Sequence, residues 1–73
     1  MPAEESRIVC NIDALLSARG MSLTVLADRV GLSVVNLSIL KNDRARAIRY
    51  STLVAICDVL GCEVGDLLVR QRA

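Results

Sequence analysis

Apolar residues recur at helical spacing in successive short segments, and the first two segments each end at a glycine. The first stripe precedes Gly20 and consists of Ile8, Ile12, Leu15 and Leu16. The second stripe precedes Gly31 and consists of Leu23, Leu26, Ala27 and Val30. The pattern predicts two helices, and Ser22 is placed to cap the second through its side-chain oxygen.

Only Leu32 and Ser33 separate the second stripe from the next helical pattern. Ser33 is a favourable N-cap for a third helix over residues 34–41, in which Leu37 and Leu40 face inward. Two short helices joined by so tight a turn must cross steeply. The segment therefore predicts a helix-turn-helix.

The C-terminal third of the chain continues the helical pattern. Ser51 is predicted to cap a fourth helix that ends at Gly61 and buries Leu53, Ile56, Cys57 and Leu60. A last turn then folds back on the core through Val64, Leu67 and Leu68. The predicted fold is all-α, a compact bundle of about five short helices.

The start of the first helix has two interpretations. Either Ser6 or Asn11 is the N-cap, and in the second case residues 8–10 are extended and can pair with another chain end. Residues 1–7 are expected to form a poorly ordered arm and residues 70–73 a C-terminal tail. Residues 8–69 then form the single domain.

Composition excludes several classes of function. Tyr50 is the only aromatic residue, whereas modules that bind single strands stack bases on several aromatic side chains. Histidine, the commonest general base and metal ligand, is absent. No pair of carboxylates or phosphate-cradling glycine loop indicates an enzyme. We therefore expect no catalytic residues and no cofactor.

The cysteines and the hydropathy indicate the compartment. Cys10, Cys57 and Cys62 lack a fourth zinc ligand, so no metal is expected, and Cys57 is interpreted as a small core residue. The odd number of cysteines and the lack of a signal peptide favour a reducing cytoplasm. No apolar run approaches the roughly 20 residues of a membrane span, so no membrane contact is expected.

Charge is concentrated in one segment although the net charge is only +1. Residues 41–49, here called the basic loop, contain one acid, Asp43, and four bases: Lys41, Arg44, Arg46 and Arg49. Such a segment on a near-neutral scaffold is typical of a small protein that binds phosphate backbones. The alternative is a solvated loop whose charges only maintain solubility.

Three spaced residues specify the helix-turn-helix more closely. Ala27 is small where the helices cross, Gly31 favours the turn, and Leu37 fills the wedge between the helices. The segment SLTVLADRVGLSVVNLSILKN resembles the helix-turn-helix of the Cro/CI (Xre-type) repressor family, and ARAIRYSTL and GCEVGDLL extend the likeness to residues 8–69. The resemblance implies a five-helix, lambda-repressor-like DNA-binding domain that is usually a symmetric dimer on a palindromic operator.

The resemblance also implies which residues face DNA. The third helix would enter the major groove with Val34, Val35, Asn36, Ser38 and Ile39 toward the bases. The three apolar members cannot hydrogen-bond, so they would read thymine methyl groups or DNA shape, whereas Asn36 either pairs with adenine or is only solvated. The predicted phosphate contacts are Ser22, Ser33, Lys41, Asn42, Arg44, Arg46 and Arg49.

Two functions follow from this pattern. The first is a sequence-specific transcriptional regulator that binds double-stranded DNA as a repressor. The alternative is a protein-interaction module, an antitoxin or bridging factor, that presents the apolar third helix to another protein. Six apolar residues lie off the core stripes and favour a homodimer through the last helix and chain ends: Val25, Val35, Ile39, Val54, Val59 and Val69. They are otherwise scattered surface residues.

Overall fold

Five helices and two short strands follow one another in the part of the chain that the computed structural model describes, residues 6–42 and 47–72. The strands are β1 (Ser6–Cys10) and β2 (Leu68–Arg72). The helices are α1 (Ile12–Arg19), α2 (Leu23–Val30), α3 (Val34–Lys41), α4 (Tyr50–Leu60) and α5 (Val64–Leu67). The predicted bundle of five helices is confirmed.

The two chain ends form a small antiparallel sheet, here called the terminal sheet. Val9 pairs with Val69 and Cys10 with Leu68, and the register continues outward to Ser6 opposite Arg72. The second interpretation of the first helix is thereby confirmed, because Asn11 is its N-cap and the preceding residues are extended. β-Branched residues favour such pairing.

The terminal sheet corrects the prediction for both ends of the chain. Within the predicted arm (1–7) and tail (70–73), residues 6, 7 and 70–72 are strand residues. Helical periodicity in a local window cannot register a strand whose partner lies at the other end of the chain. The remaining residues of the two predicted segments, 1–5 and 73, lie outside the described residues.

One apolar core lies beneath all five helices. Its members are the buried residues Ile12, Leu16, Leu26, Ala27, Leu37, Leu53, Ile56, Leu60 and Leu67. The helix-turn-helix contributes three of them, and α2 and α3 meet at a bend of 114°. This steep crossing is the geometry that the short turn predicts. It points the outer face of α3 away from the core.

Each helix of the helix-turn-helix begins with a serine cap, and a glycine forms the turn between them. The Ser22 hydroxyl accepts a hydrogen bond from the Val25 N–H at 3.2 Å, and the Ser33 hydroxyl accepts one from the Asn36 N–H at 3.1 Å. Gly31 has φ of 75°, a left-handed conformation that residues with a Cβ rarely adopt. The two predicted serine caps and the predicted glycine turn are therefore confirmed.

The start of α4 differs from its prediction. The helix begins at Tyr50, and its N-cap is Arg49, whose side chain makes no capping bond. Ser51 is therefore a residue of the first turn, not the cap. The preceding Ile48 packs against the core, which fixes the entry of the chain independently of a capping hydroxyl.

Hydrogen bonds join the two ends of α1 to α5 and α4. The Asn11 N–H donates to the Leu67 carbonyl at 2.8 Å, and its side-chain amide donates to the Asp66 carbonyl at 3.3 Å. At the other end of α1, the Arg19 guanidinium donates to the carbonyls of Leu60 and Gly61. A cation is favourable there because the last carbonyls of α4 carry partial negative charge.

No disulfide joins any of the three cysteines, all of which lie in the described part of the chain, and each is half-buried. Cys57 packs against the core, as predicted. Desolvation raises the pKa of the Cys57 thiol, and the neighbouring Cys62 thiol raises it further. Cys57 therefore stays neutral at pH 7 and packs as an apolar residue.

In the described residues, no single helix is long and apolar enough to cross a membrane. α2 and α3 reach that length and hydropathy only as a pair, and the pair is sharply bent.

Replacing either capping hydroxyl is expected to destabilise the fold. Ser22→Ala and Ser33→Ala should each lower the free energy of unfolding by about 1 kcal/mol, because one N–H of the first turn loses its partner. Urea unfolding followed by circular dichroism measures the loss. Ser51→Ala is the matched control and should change stability by less than about 0.5 kcal/mol. A larger loss in Ser51→Ala would contradict the assignment of Arg49 as the cap.

Candidate nucleic-acid interface

The outer face of α3 carries an open, mostly apolar groove. Five residues of one helix face and its C-cap line this α3 groove, which has a volume of about 250 Å³: Val34, Val35, Ser38, Ile39 and Asn42. Val35 is the most prominent, with 69% of its surface exposed. The groove brings together four of the five residues predicted to face bases, and Asn42 from the predicted phosphate contacts.

Asn36 lies beside the α3 groove and does not line it. Its backbone N–H is bound to the Ser33 hydroxyl, but its side chain is exposed and has no hydrogen bond to any described residue. The amide is therefore available to a ligand from outside. Whether it contacts a base stays a prediction.

At the starts of α2 and α3, after Ser22 and Ser33, one backbone N–H is bound to the serine hydroxyl and others have no partner within the helix. Each hydroxyl already accepts a bond from the third residue of its helix. The N–H groups of the first two residues of an α-helix have no partner within the helix, and they carry partial positive charge. A phosphate at either start would be bound by these backbone donors, and the serine O–H, whose proton the capping bond does not use, can donate a further bond.

Lys41 forms an ion pair with Asp13, which was not among the predicted site residues. Its ammonium lies 2.9 Å from a carboxylate oxygen of Asp13, which belongs to the first turn of α1. Asp13 is the more exposed partner, at 68% against 28% for the lysine side chain. Sequence spacing gives no indication of this pair, because the residues lie on different helices. A phosphate would have to compete with Asp13 for Lys41.

The remaining predicted phosphate contacts divide between described and undescribed residues. Asn42 and Arg49 are both exposed at the ends of the basic loop, next to the C-terminus of α3 and at the start of α4. Arg44 and Arg46 lie outside the described residues. From Arg29 to Cys57, Asp43 is the only acid in the sequence, whereas five residues are basic. The stretch containing α3 is therefore electropositive.

The apolar residues predicted to lie off the core divide into two groups. Five are exposed: Val25, Val35, Ile39, Val54 and Val69. Val59 is the exception, because it is half-buried and packs against the core. Near the chain ends, Ile8 and Val64 are also exposed, at 57% and 49%. Apolar surface is therefore present both on α3 and around the terminal sheet.

Three comparisons identify known proteins that this chain resembles. Residues 11–72 match the Cro/C1-type HTH DNA-binding domain. The chain is 57% identical over 61 residues to the uncharacterized HTH-type transcriptional regulator YozG of Bacillus subtilis (strain 168), covering 84% of this chain and 73% of YozG. The crystal structure of the transcriptional regulator VanUg matches with a TM-score of 0.77 at 26% identity, over 100% of this chain and 96% of VanUg.

Releasing Lys41 from its ion pair is expected to strengthen binding to duplex DNA. Asp13→Asn should raise affinity about two- to fivefold at ~50 mM salt, since an exposed ion pair contributes about 1 kcal/mol or less, and the gain should shrink as salt screens it. Fluorescence anisotropy with a labelled duplex measures the change. Asp58→Asn removes the same charge from the exposed side of α4 and is the control. An equal gain in both variants would contradict the specific role of Asp13.

Proposed function

The chain belongs to the Cro/C1-type helix-turn-helix DNA-binding family, and from this premise we propose that it is a sequence-specific transcriptional repressor. The observation that carries the proposal is the 114° crossing of α2 and α3, which leaves the outer face of α3 exposed. A helix held in this way fits the major groove of B-DNA. Bound over a promoter, the protein would block access of polymerase.

In the proposed complex, α3 supplies the base contacts and its surroundings supply the phosphate contacts. The α3 groove and Asn36 face the base edges, while the backbone donors at the starts of α2 and α3 approach the phosphates. The basic loop binds the DNA backbone beside the major groove through Lys41, Arg44, Arg46 and Arg49. Asn42 lies at the edge of this contact. The phosphate contacts provide most of the affinity, and the α3 contacts provide the sequence preference.

A protein-interaction module is the second candidate, and the apolar α3 groove is the observation that favours it. Exposed valines and isoleucine on one helix can bind an apolar surface of another protein. The charge distribution favours DNA, because a surface that only binds protein does not need five cations and a single acid in the surrounding sequence. The proposed activity involves no catalysis and no cofactor, and it belongs in the cytoplasm with the DNA.

We also propose that the active form is a homodimer joined through α5 and the terminal sheet. Ile8, Val64 and Val69 expose apolar surface in this region. A two-fold axis there would cover part of this apolar surface and place two copies of α3 about one turn of DNA apart, roughly 34 Å, on a palindromic operator.

Reversing two charges of the basic loop is expected to abolish DNA binding. Arg44→Glu with Arg46→Glu should lose affinity for all duplex sequences, because two phosphate contacts become repulsive. The measurement is selection of bound duplexes from a random library at ~150 mM salt. In the same selection, Asn36→Ala should still enrich duplexes but change the preference at one base pair.

Arg44→Lys with Arg46→Lys is the matched control for the charge reversal. It keeps both positive charges and should enrich the same palindrome as the wild type, since lysine also binds phosphate as a point charge. Unchanged enrichment in the charge-reversed protein would overturn the role of the loop. If wild-type protein and reversed protein recover the same unselected pool, the protein-interaction function replaces the DNA-binding one.

The dimer is expected to depend on the terminal sheet. Ile8→Arg with Val69→Arg adds a charge to each face of the sheet and should convert the dimer to monomer in sedimentation velocity at high micromolar concentration. Val54→Arg, at an equally exposed apolar site on α4, should leave the dimer intact. A wild-type protein that sediments only as monomer, or dissociation by Val54→Arg alone, would exclude this interface.

A further inference from the structure

We propose that the α3 groove is a binding site for the C5-methyl groups of pyrimidines, so that the protein recognises methyl-bearing pyrimidine steps in the major groove. The inference rests on the proposed DNA-binding function and deepens it. It names thymine as the principal ligand of the groove and assigns specificity to three side chains without hydrogen-bonding groups. Recognition would then depend on apolar contact and not on a pattern of donors and acceptors.

The apolar wall of the groove fits a methyl group better than it fits the hydrogen-bonding groups that the major groove displays. This apolar wall consists of Val34, Val35 and Ile39, whose side chains are hydrocarbon. The other features of base edges in the major groove are hydrogen-bond donors and acceptors and the C5–H of cytosine, which is smaller than a methyl group. Placing a polar edge against these three side chains would strip it of water without replacing its hydrogen bonds.

The two polar residues of the groove lie where they can serve the rest of the base or the backbone. Ser38 is half-buried and Asn42 is exposed at the C-cap of α3. Neither side chain bonds to another described residue. They are thus available to a base edge next to the methyl or to the adjoining phosphate. An apolar wall with flanking polar groups therefore matches the edge of a pyrimidine better than it matches a purely apolar surface of another protein.

Charge supports DNA as the occupant of the groove. α3 contains no acid, its last residue is Lys41, and the basic loop begins there. Duplex DNA presents methyl groups at the floor of its major groove and phosphates at the rim. The methyl groups can contact the apolar centre of the α3 groove while the phosphates contact its basic edge. An apolar peptide would satisfy only the centre.

Two nucleobases carry the C5-methyl group, thymine and 5-methylcytosine. The groove contacts the methyl group, so both bases are recognised, and thymine is the common source. This shared chemistry distinguishes methyl recognition from hydrogen bonding to thymine O4, because 5-methylcytosine has an amino donor at the corresponding position. The experiment therefore tests both bases at the same site.

The test uses the tightest duplex that wild-type protein recovers from a random library. Each thymine of one half-site is replaced in turn by deoxyuridine, which keeps base pairing and removes only the methyl group. At one or two positions the affinity should fall about fourfold, the fold-change for losing one buried methyl group. At those positions a 5-methylcytosine·guanine pair should bind about fourfold more tightly than cytosine·guanine.

Protein variants show whether the α3 groove causes the discrimination. Val35→Ala and Ile39→Ala both shorten exposed side chains, so they should fold normally, and they should reduce the thymine-to-uracil ratio of affinities toward one. Val54→Ala, at an exposed valine of α4, is the control and should keep the ratio. A circular dichroism melt of each variant confirms that the fold is retained.

The possible failures are distinct. Tight duplex binding with a thymine-to-uracil ratio of one at every position, or a selected half-site without thymine, overturns methyl recognition and leaves the DNA-binding function standing. A ratio that the groove variants do not change assigns methyl recognition to other residues and also overturns the proposal. If no duplex is enriched at all, the proposed function itself fails, and the groove is then a protein-binding surface.

Discussion

The close crossing of α2 and α3 is the constraint on which the rest of the structure depends. Ala27 of α2 and Leu37 of α3 are both buried in the core, and Gly31 supplies the left-handed residue that allows the steep turn. A larger side chain at position 27 would separate the helix axes and open the core. Because Leu37 is the fully buried residue of an eight-residue helix, its packing fixes the rotation of α3 and thereby the direction of the α3 groove.

The sequence was sufficient where several local signals agreed. For α2 and α3, a serine cap and an apolar stripe coincide, a glycine ends α2, and both helices begin and end where the pattern predicts. The start of α4 was wrong because Ser51 looks like a cap, whereas packing of Ile48 sets the entry. The terminal sheet pairs residues 60 positions apart, such as Val9 and Val69, which no local window can reveal.

The candidate site was predictable in its apolar part and less so in its electrostatics. The inward stripe of Leu37 and Leu40 leaves Val35 and Ile39 outside the core, and the family resemblance adds Val34. All three are exposed in the structure. The ion pair between Lys41 and Asp13 joins two helices through tertiary packing, so the sequence shows a free lysine where the fold supplies a partner. A count of charged residues along the sequence therefore overstates the positive charge that is available to a ligand.

Affinity and specificity in the proposed complex would come from different physical forces on adjacent elements. Contacts from the basic loop to phosphates release counterions, so they weaken steeply with salt and are blind to sequence. Apolar contacts of the α3 groove with methyl groups exchange no counterions and differ between bases. A helix without charged residues before Lys41 keeps these two contributions apart. Rising salt would then lower the affinity for every duplex while leaving the ratio between methylated and unmethylated sites nearly constant.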